Sequence, residues 1–183
     1  YIDPTFNTKS GYRHYSSPVA NTIFNDLATP GFAPIFNQAY NTTGNTATPF
    51  PNVFGYDQAR VTSPADAATA FDQGFLVPAG TDAMGVMSGY TVNIGADQVV
   101  DLTGTLNNGP VSRNLTRGTQ PQSGWQLLGN PYPSPIDFSQ TGGVVRTNVD
   151  DAVYVCQSTG QYAGQYRSYV RGMGDPLVAS MQG

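Results

Sequence analysis

Hydrophobic and polar residues alternate most regularly between residues 89 and 106. In GYTVNI (89–94), Tyr90, Val92 and Ile94 fall on one face of an extended chain and Thr91 and Asn93 on the other, the period of a half-buried strand. QVVDLTGTL (98–106) continues with Val100, Leu102, Gly104 and Leu106 against Val99, Asp101, Thr103 and Thr105, and Gly95-Ala96-Asp97 supplies the turn between the two runs. Asn107-Asn108-Gly109 then brings residues that tolerate positive φ, so TGTL-NNG-PVSRNLT reads as a β-hairpin. Pro110 lacks a backbone donor, so its strand is expected to begin at an edge or just after the turn. Further strands are expected at GWQLLG (124–129), which NPYPSP must break, and at VDDAVYVCQ (149–157), QYRSYVRG (165–172) and PLVASMQG (176–183). Residues 25–70 show no clean period. They read as a long irregular surface loop with at most one short helical turn near 64–72, a length of loop that is uncommon unless it has a function.

One phrase occurs twice. GYRHYSSPVANTIF (11–24) and GWQLLGNPYPSPIDF (124–138) both open on Gly and an aromatic, run through strand-like residues and reach a small or polar residue before Pro18 or Pro131. Gly11 and Gly124 are 113 residues apart, and Met87-Ser88-Gly89 resembles Met181-Gln182-Gly183 at a spacing of 94, leaving 19 extra residues in the loop of the first copy. The expected architecture is therefore all-β, a β-sandwich or jelly-roll-like arrangement of two internally related halves, 1–97 with the long loop and 98–183, packed as one unit. The first copy continues past Gly89 into a strand and the second stops at Gly183, so the second half is expected to lack its last strand. Either a chain boundary accounts for this or a neighbouring molecule supplies the strand.

Composition narrows the chemistry. The chain has 183 residues, no Glu, one Lys and twelve Asp, and charged residues make up 11% where about 25% is usual. Thr, Asn, Gln, Gly, Pro and aromatics take the place of the strong helix formers. A net charge of −4 with scattered Arg offers no basic stripe for nucleic acid. No apolar run approaches the roughly 18 residues of a membrane span, so membrane insertion is not expected. Cys156 is alone and forms no internal disulfide.

Candidate sites are few. The single histidine, His14, lies mid-strand with no G-x-S-x-G elbow to serve, so no catalytic residue and no enzymatic activity are expected. Asp150 and Asp151 point to opposite faces of a strand and do not easily flank one sugar as a catalytic pair, which leaves a distant partner such as Asp137 or Asp101 as the alternative. Asp150 and Asp151 are weak candidates for calcium, which takes hard oxygen ligands, although the EF-hand pattern is absent; no other metal or cofactor is expected. The remaining aspartates are expected to cap turns. Tyr154, Tyr162, Tyr166 and Tyr169 lie close together in sequence and form the candidate ligand-binding set, able to stack on sugar faces, while cross-strand packing alone also accounts for them. Trp125 is expected in the core. Met181, Gln182 and Gly183 form the candidate assembly edge.

GYRHYSSPV, DLTGTLNNGPVSRNLT, GWQLLGNPYPSPIDF, NVDDAVYV, SYVRG and MQG, in this order, resemble a module of secreted and cell-surface proteins of Bacteroidota that leave the cell by the type IX secretion system. The resemblance spans nearly the whole chain, and GNPYPSPID is its most specific phrase. It implies an extracellular location, a place within a longer polypeptide and no shared catalytic activity. One departure stands at Tyr154-Val155-Cys156, where the family tends to write Tyr-Val-Trp. The expected function is a non-enzymatic structural or adhesive β module of a secreted or surface-anchored protein, able to form filaments by β-strand complementation with neighbouring copies or adjacent domains. The alternative is a carbohydrate-binding module with glycans as partners.

Overall fold

The computed structural model describes residues 11–62, 67–95, 97–140 and 142–171. The protein is all-β: among the described residues six strands form two antiparallel sheets, and helix is confined to short pieces. In chain order the elements are β1 (Gly11–Tyr15), α1 (Tyr40–Thr43), β2 (Val53–Tyr56), α2 (Ala67–Asp72), β3 (Phe75–Leu76), β4 (Tyr90–Ile94), β5 (Ala152–Gly160) and β6 (Ala163–Val170), with single 3-10 turns at Phe24–Leu27, Gly44–Thr46 and Gln58–Arg60.

The larger sheet runs β1-β4-β2-β3. β1 pairs with β4 from Gly11↔Ile94 to Tyr15↔Tyr90, and β2 joins the other side of β4 at Val53↔Val92. As the period of GYTVNI requires, Tyr90, Val92 and Ile94 share one face and enter the hydrophobic core with Val53, Phe24, Leu27, Phe32 and Met84. Burying each large apolar side chain there contributes about 1.5–3 kcal/mol. Phe24 meets the Tyr90 ring edge-on at 4.7 Å, and the Tyr90 hydroxyl accepts the Gly85 N–H at 2.7 Å. The strand is nevertheless buried on both faces, because Thr91 and Asn93 are covered as well.

Two expectations need correction. The 25–70 segment is irregular for most of its length but is not a surface loop: it supplies β2, and its Leu27, Phe32 and Val53 are core residues. Its apolar residues show no period because short turns, not one long element, carry them inward. The hairpin at 107–109 does not form, and between β4 and β5 the described residues contain no strand. Their backbone groups pair elsewhere: the Ala20 N–H donates to Thr105 O at 2.8 Å, the Asn107 N–H to Pro18 O at 3.0 Å, and Leu106 bridges Val19. GWQLLG makes only one antiparallel bridge, Ser88↔Leu128. Within this strand-poor stretch, buried Gln58 holds Thr116 and Gly118 through its side-chain amide at 3.0 and 2.7 Å.

Four of the described aspartates cap turns. Asp26, Asp57, Asp82 and Asp137 each accept a nearby backbone N–H, from Ile23, Ala59, Ala79 and Ser139.

Candidate functional site

β5 and β6 form a long hairpin in register from Ala152↔Val170 to Gly160↔Ala163, with an irregularity between Ser158 and Gly160. Alternating β-branched and aromatic residues with a Gly-Gln-Tyr-Ala corner favour this arrangement. A two-stranded ribbon is marginal in water unless it packs on something. This one packs on β1: Gly160 and Ser158 lie against Gly11, and the Asn93 side-chain amide donates to Gln161 O at 3.0 Å. Among the described residues no third strand pairs with β5 or β6.

The register sorts the four candidate tyrosines. Tyr154 and Tyr166 share the face of Cys156 and Ser158 and are 45% and 52% exposed. Tyr162 lies in the turn and is 77% exposed, whereas Tyr169 points to the opposite face, is 7% exposed and packs edge-on against Phe138 at 6.1 Å. The hairpin therefore brings two of the four together on one open face. Trp125, expected in the core, is 41% exposed and joins the β5–β6 hairpin to α2: its ring meets Tyr154 at 5.1 Å and Phe71 at 5.9 Å.

From Phe71 the aromatic contacts run on through Tyr56 and Phe75 to Phe54, Tyr12 and Tyr40, all on or beside the face of the four-stranded sheet opposite the core. Burial raises the hydroxyl pKa of Tyr12, Tyr40, Tyr56 and Tyr166, and that of Tyr56 is pushed up to about 12, with Asp72, Tyr166 and Asp57 adding to the effect. His14, on the same face and 6.2 Å from Tyr166, has its pKa lowered by burial. Burial also raises the Cys156 thiol.

Asp151 pairs with Arg146 at 2.7 Å, and the Arg146 guanidinium also lies 4.1 Å over the Phe138 ring. Asp150 is exposed beside it. Among the described residues no three His, Cys, Asp or Glu side chains come together in a metal-holding group. Met181, Gln182 and Gly183 lie outside the described residues.

The 25–70 segment, together with residues 72–75, also forms a groove that strand periodicity gives no means of finding. It is a shallow, open groove with a volume of about 420 Å³, lined by residues that include Tyr40, Asn41, Arg60, Asp72, Gln73 and Phe75. The one available signal was the density of aromatic and amide residues in a stretch otherwise read as loop. Its position beside β3 depends on how α1 folds back on the sheet.

No helix among the described residues is long and apolar enough to cross a membrane. No curated protein and no solved structure matches the chain. A family model described as "Domain of unknown function (DUF8693)" matches residues 4–172, and the chain belongs to that family.

Proposed function

We propose that this chain is a non-enzymatic structural or adhesive β module of a secreted or surface-anchored bacterial protein, joined to neighbouring copies or adjacent domains by β-strand addition. The observation that carries the reading is the β5–β6 ribbon, whose outer edges pair with no strand among the described residues. Unpaired edges template further strands unless charges, prolines or bulges blunt them. β5 and β6 contain no Pro and no Lys; their one charged residue is Arg167, and the irregularity between Ser158 and Gly160 is confined to the hairpin tip. Backbone hydrogen bonds would supply affinity for an added strand and alternate side chains its selectivity. The extracellular location rests on the resemblance of the GNPYPSPID phrase.

Negative-stain microscopy and sedimentation over rising concentration test this reading. Filaments or concentration-dependent oligomers are expected, and a peptide copying residues 152–160 should cap them. Gln165→Lys, which places a charge on the ribbon, should reduce assembly. A chain that stays monomeric at high concentration overturns the proposal.

A second reading, glycan binding on the hairpin, is favoured by Tyr154 and Tyr166 sharing one exposed face. A binding signal abolished by Tyr166→Ala supports it, and a blank glycan array removes it.

A further inference from the structure

We infer that the groove between α1, the Gln58–Arg60 turn and the start of β3 binds the end of a neutral oligosaccharide. Its volume of about 420 Å³ falls within the range of small-ligand sites, about 300–1,000 Å³. The site shares no residue with the hairpin and is independent of strand addition.

The walls are set before any ligand arrives. Asn41 clamps α1 to the chain following β3 by a pair of hydrogen bonds: its amide donates to Val77 O at 2.9 Å, and its carbonyl accepts the Val77 N–H at 2.7 Å. Arg60 ties the two banks together, donating from Nε to Gln73 O at 3.3 Å and from Nη2 to Asn41 O at 3.0 Å. The Tyr40 ring is braced edge-on by Phe50 at 5.7 Å and Phe54 at 5.1 Å. Phe75, on the facing bank, is braced in the same way by Tyr56 at 5.2 Å. Such fixed walls lower the ordering cost of binding.

The lining selects the ligand class. Two aromatic rings offer surface for the C–H faces of a sugar, and the polar groups supply both donors and acceptors. The Asp72 carboxylate accepts, the Arg60 guanidinium donates, the hydroxyls of Tyr40 and Thr62 do either, and the Thr42 hydroxyl, which donates to Ala39 O at 3.1 Å, accepts. Asp72 and Arg60 act in opposite directions on the Tyr40 hydroxyl, so the three groups lie within electrostatic reach of one another. One cation and one anion cancel, which leaves no net field to recruit a phosphate or a polyanion. A neutral polyhydroxylated molecule uses both signs of hydrogen-bonding group at once. The lining holds one carboxylate, Asp72, and not the pair that glycoside hydrolysis uses, so the groove is read as holding its ligand without cleaving it.

Saturation-transfer NMR on the full chain tests the inference, with cellotriose, mannotriose, xylotriose and laminaritriose as separate probes and trigalacturonic acid as the charged comparison. At least one neutral trisaccharide is expected to bind, with a dissociation constant on the order of 0.1–1 mM. Asp72→Asn and Tyr40→Phe, both conservative changes at the groove, should each weaken binding about tenfold. Tyr154→Ala and Tyr166→Ala should leave it unchanged. The inference is overturned if none of the four neutral probes shows saturable transfer, if only the charged probe binds, if both groove variants bind like the parent chain, or if binding is lost in the hairpin variants instead. The readout works on monomers and on filaments. Asp72→Asn is expected to leave assembly intact, so failure here and failure of strand addition are seen separately.

Discussion

The carbonyl oxygen of Gly160, at the tip of the β5–β6 hairpin, lies so close over Gly11 at the start of β1 that a β-carbon on Gly11 would overlap both it and the Ser158 hydroxyl. Gly11 also has φ +116, a conformation that L side chains rarely adopt. Gly11→Ala should therefore destabilise the protein by about 1–3 kcal/mol and loosen the hairpin from the sheet. Gly95→Ala is the control, since a β-carbon there meets nothing within 4 Å. Urea denaturation of the two variants measures the difference, and equal midpoints would remove this contact as the anchor.

Leu27, in the segment whose sequence reads as surface loop, is almost fully buried among Phe24, Val53 and Val92. Leu27→Ala is expected to cost about 2–5 kcal/mol. Val99→Ala, at an exposed position, should stay within about 0.5 kcal/mol. Thermal unfolding distinguishes a loop residue from a core residue directly.

The two Pro turns of the repeated phrase meet at Asn107, whose side-chain amide donates to Pro131 O at 3.0 Å and reaches Ser17 O at 3.5 Å. Removing it leaves partly buried carbonyls without their donor, so Asn107→Ala should destabilise by about 1–3 kcal/mol. The neighbouring Asn108→Ala, at an exposed position, should have little effect. Matching losses in the two variants would show that the side-chain link is dispensable.

Stability should fall at both ends of the pH range for different reasons. Burial lowers the folded pKa of His14 below 6.5, so between that folded value and 6.5 the unfolded chain binds more protons and stability rises with pH. The contribution is complete above 6.5 and is lost as pH falls, and His14→Gln should flatten this limb. Burial raises the tyrosines, Tyr56 to about 12, so above their ordinary value of 10 the unfolded chain releases phenolic protons that the folded chain keeps. Stability is expected to drop as pH rises from about 10. Melting temperatures from pH 5 to 11 check both limbs, and a flat acid limb in the parent chain would rule out His14 as its source.

The sequence by itself determined the strand class and the facing of its most regular element. GYTVNI alternates with period two, and that period placed Tyr90, Val92 and Ile94 together on the core side. The hairpin strands were legible for the same reason, because β-branched and aromatic residues alternate on both sides of a glycine-containing corner. Pattern could not decide the partners. TGTL-NNG-PVSRNLT carries every local signal of a hairpin, but its backbone donors and acceptors go to residues 18–20, since pairing depends on which edge lies within reach once the core has formed. The candidate tyrosines show the same division: alternation puts Tyr166 and Tyr169 on opposite faces of β6, but only the register placed Tyr154 beside Tyr166 and only packing against Phe138 closed the face of Tyr169. The groove at Tyr40, Arg60 and Asp72 belongs wholly to tertiary structure. Its residues span more than thirty positions of an aperiodic segment, and only the folding of that segment onto the sheet brings their side chains around one volume.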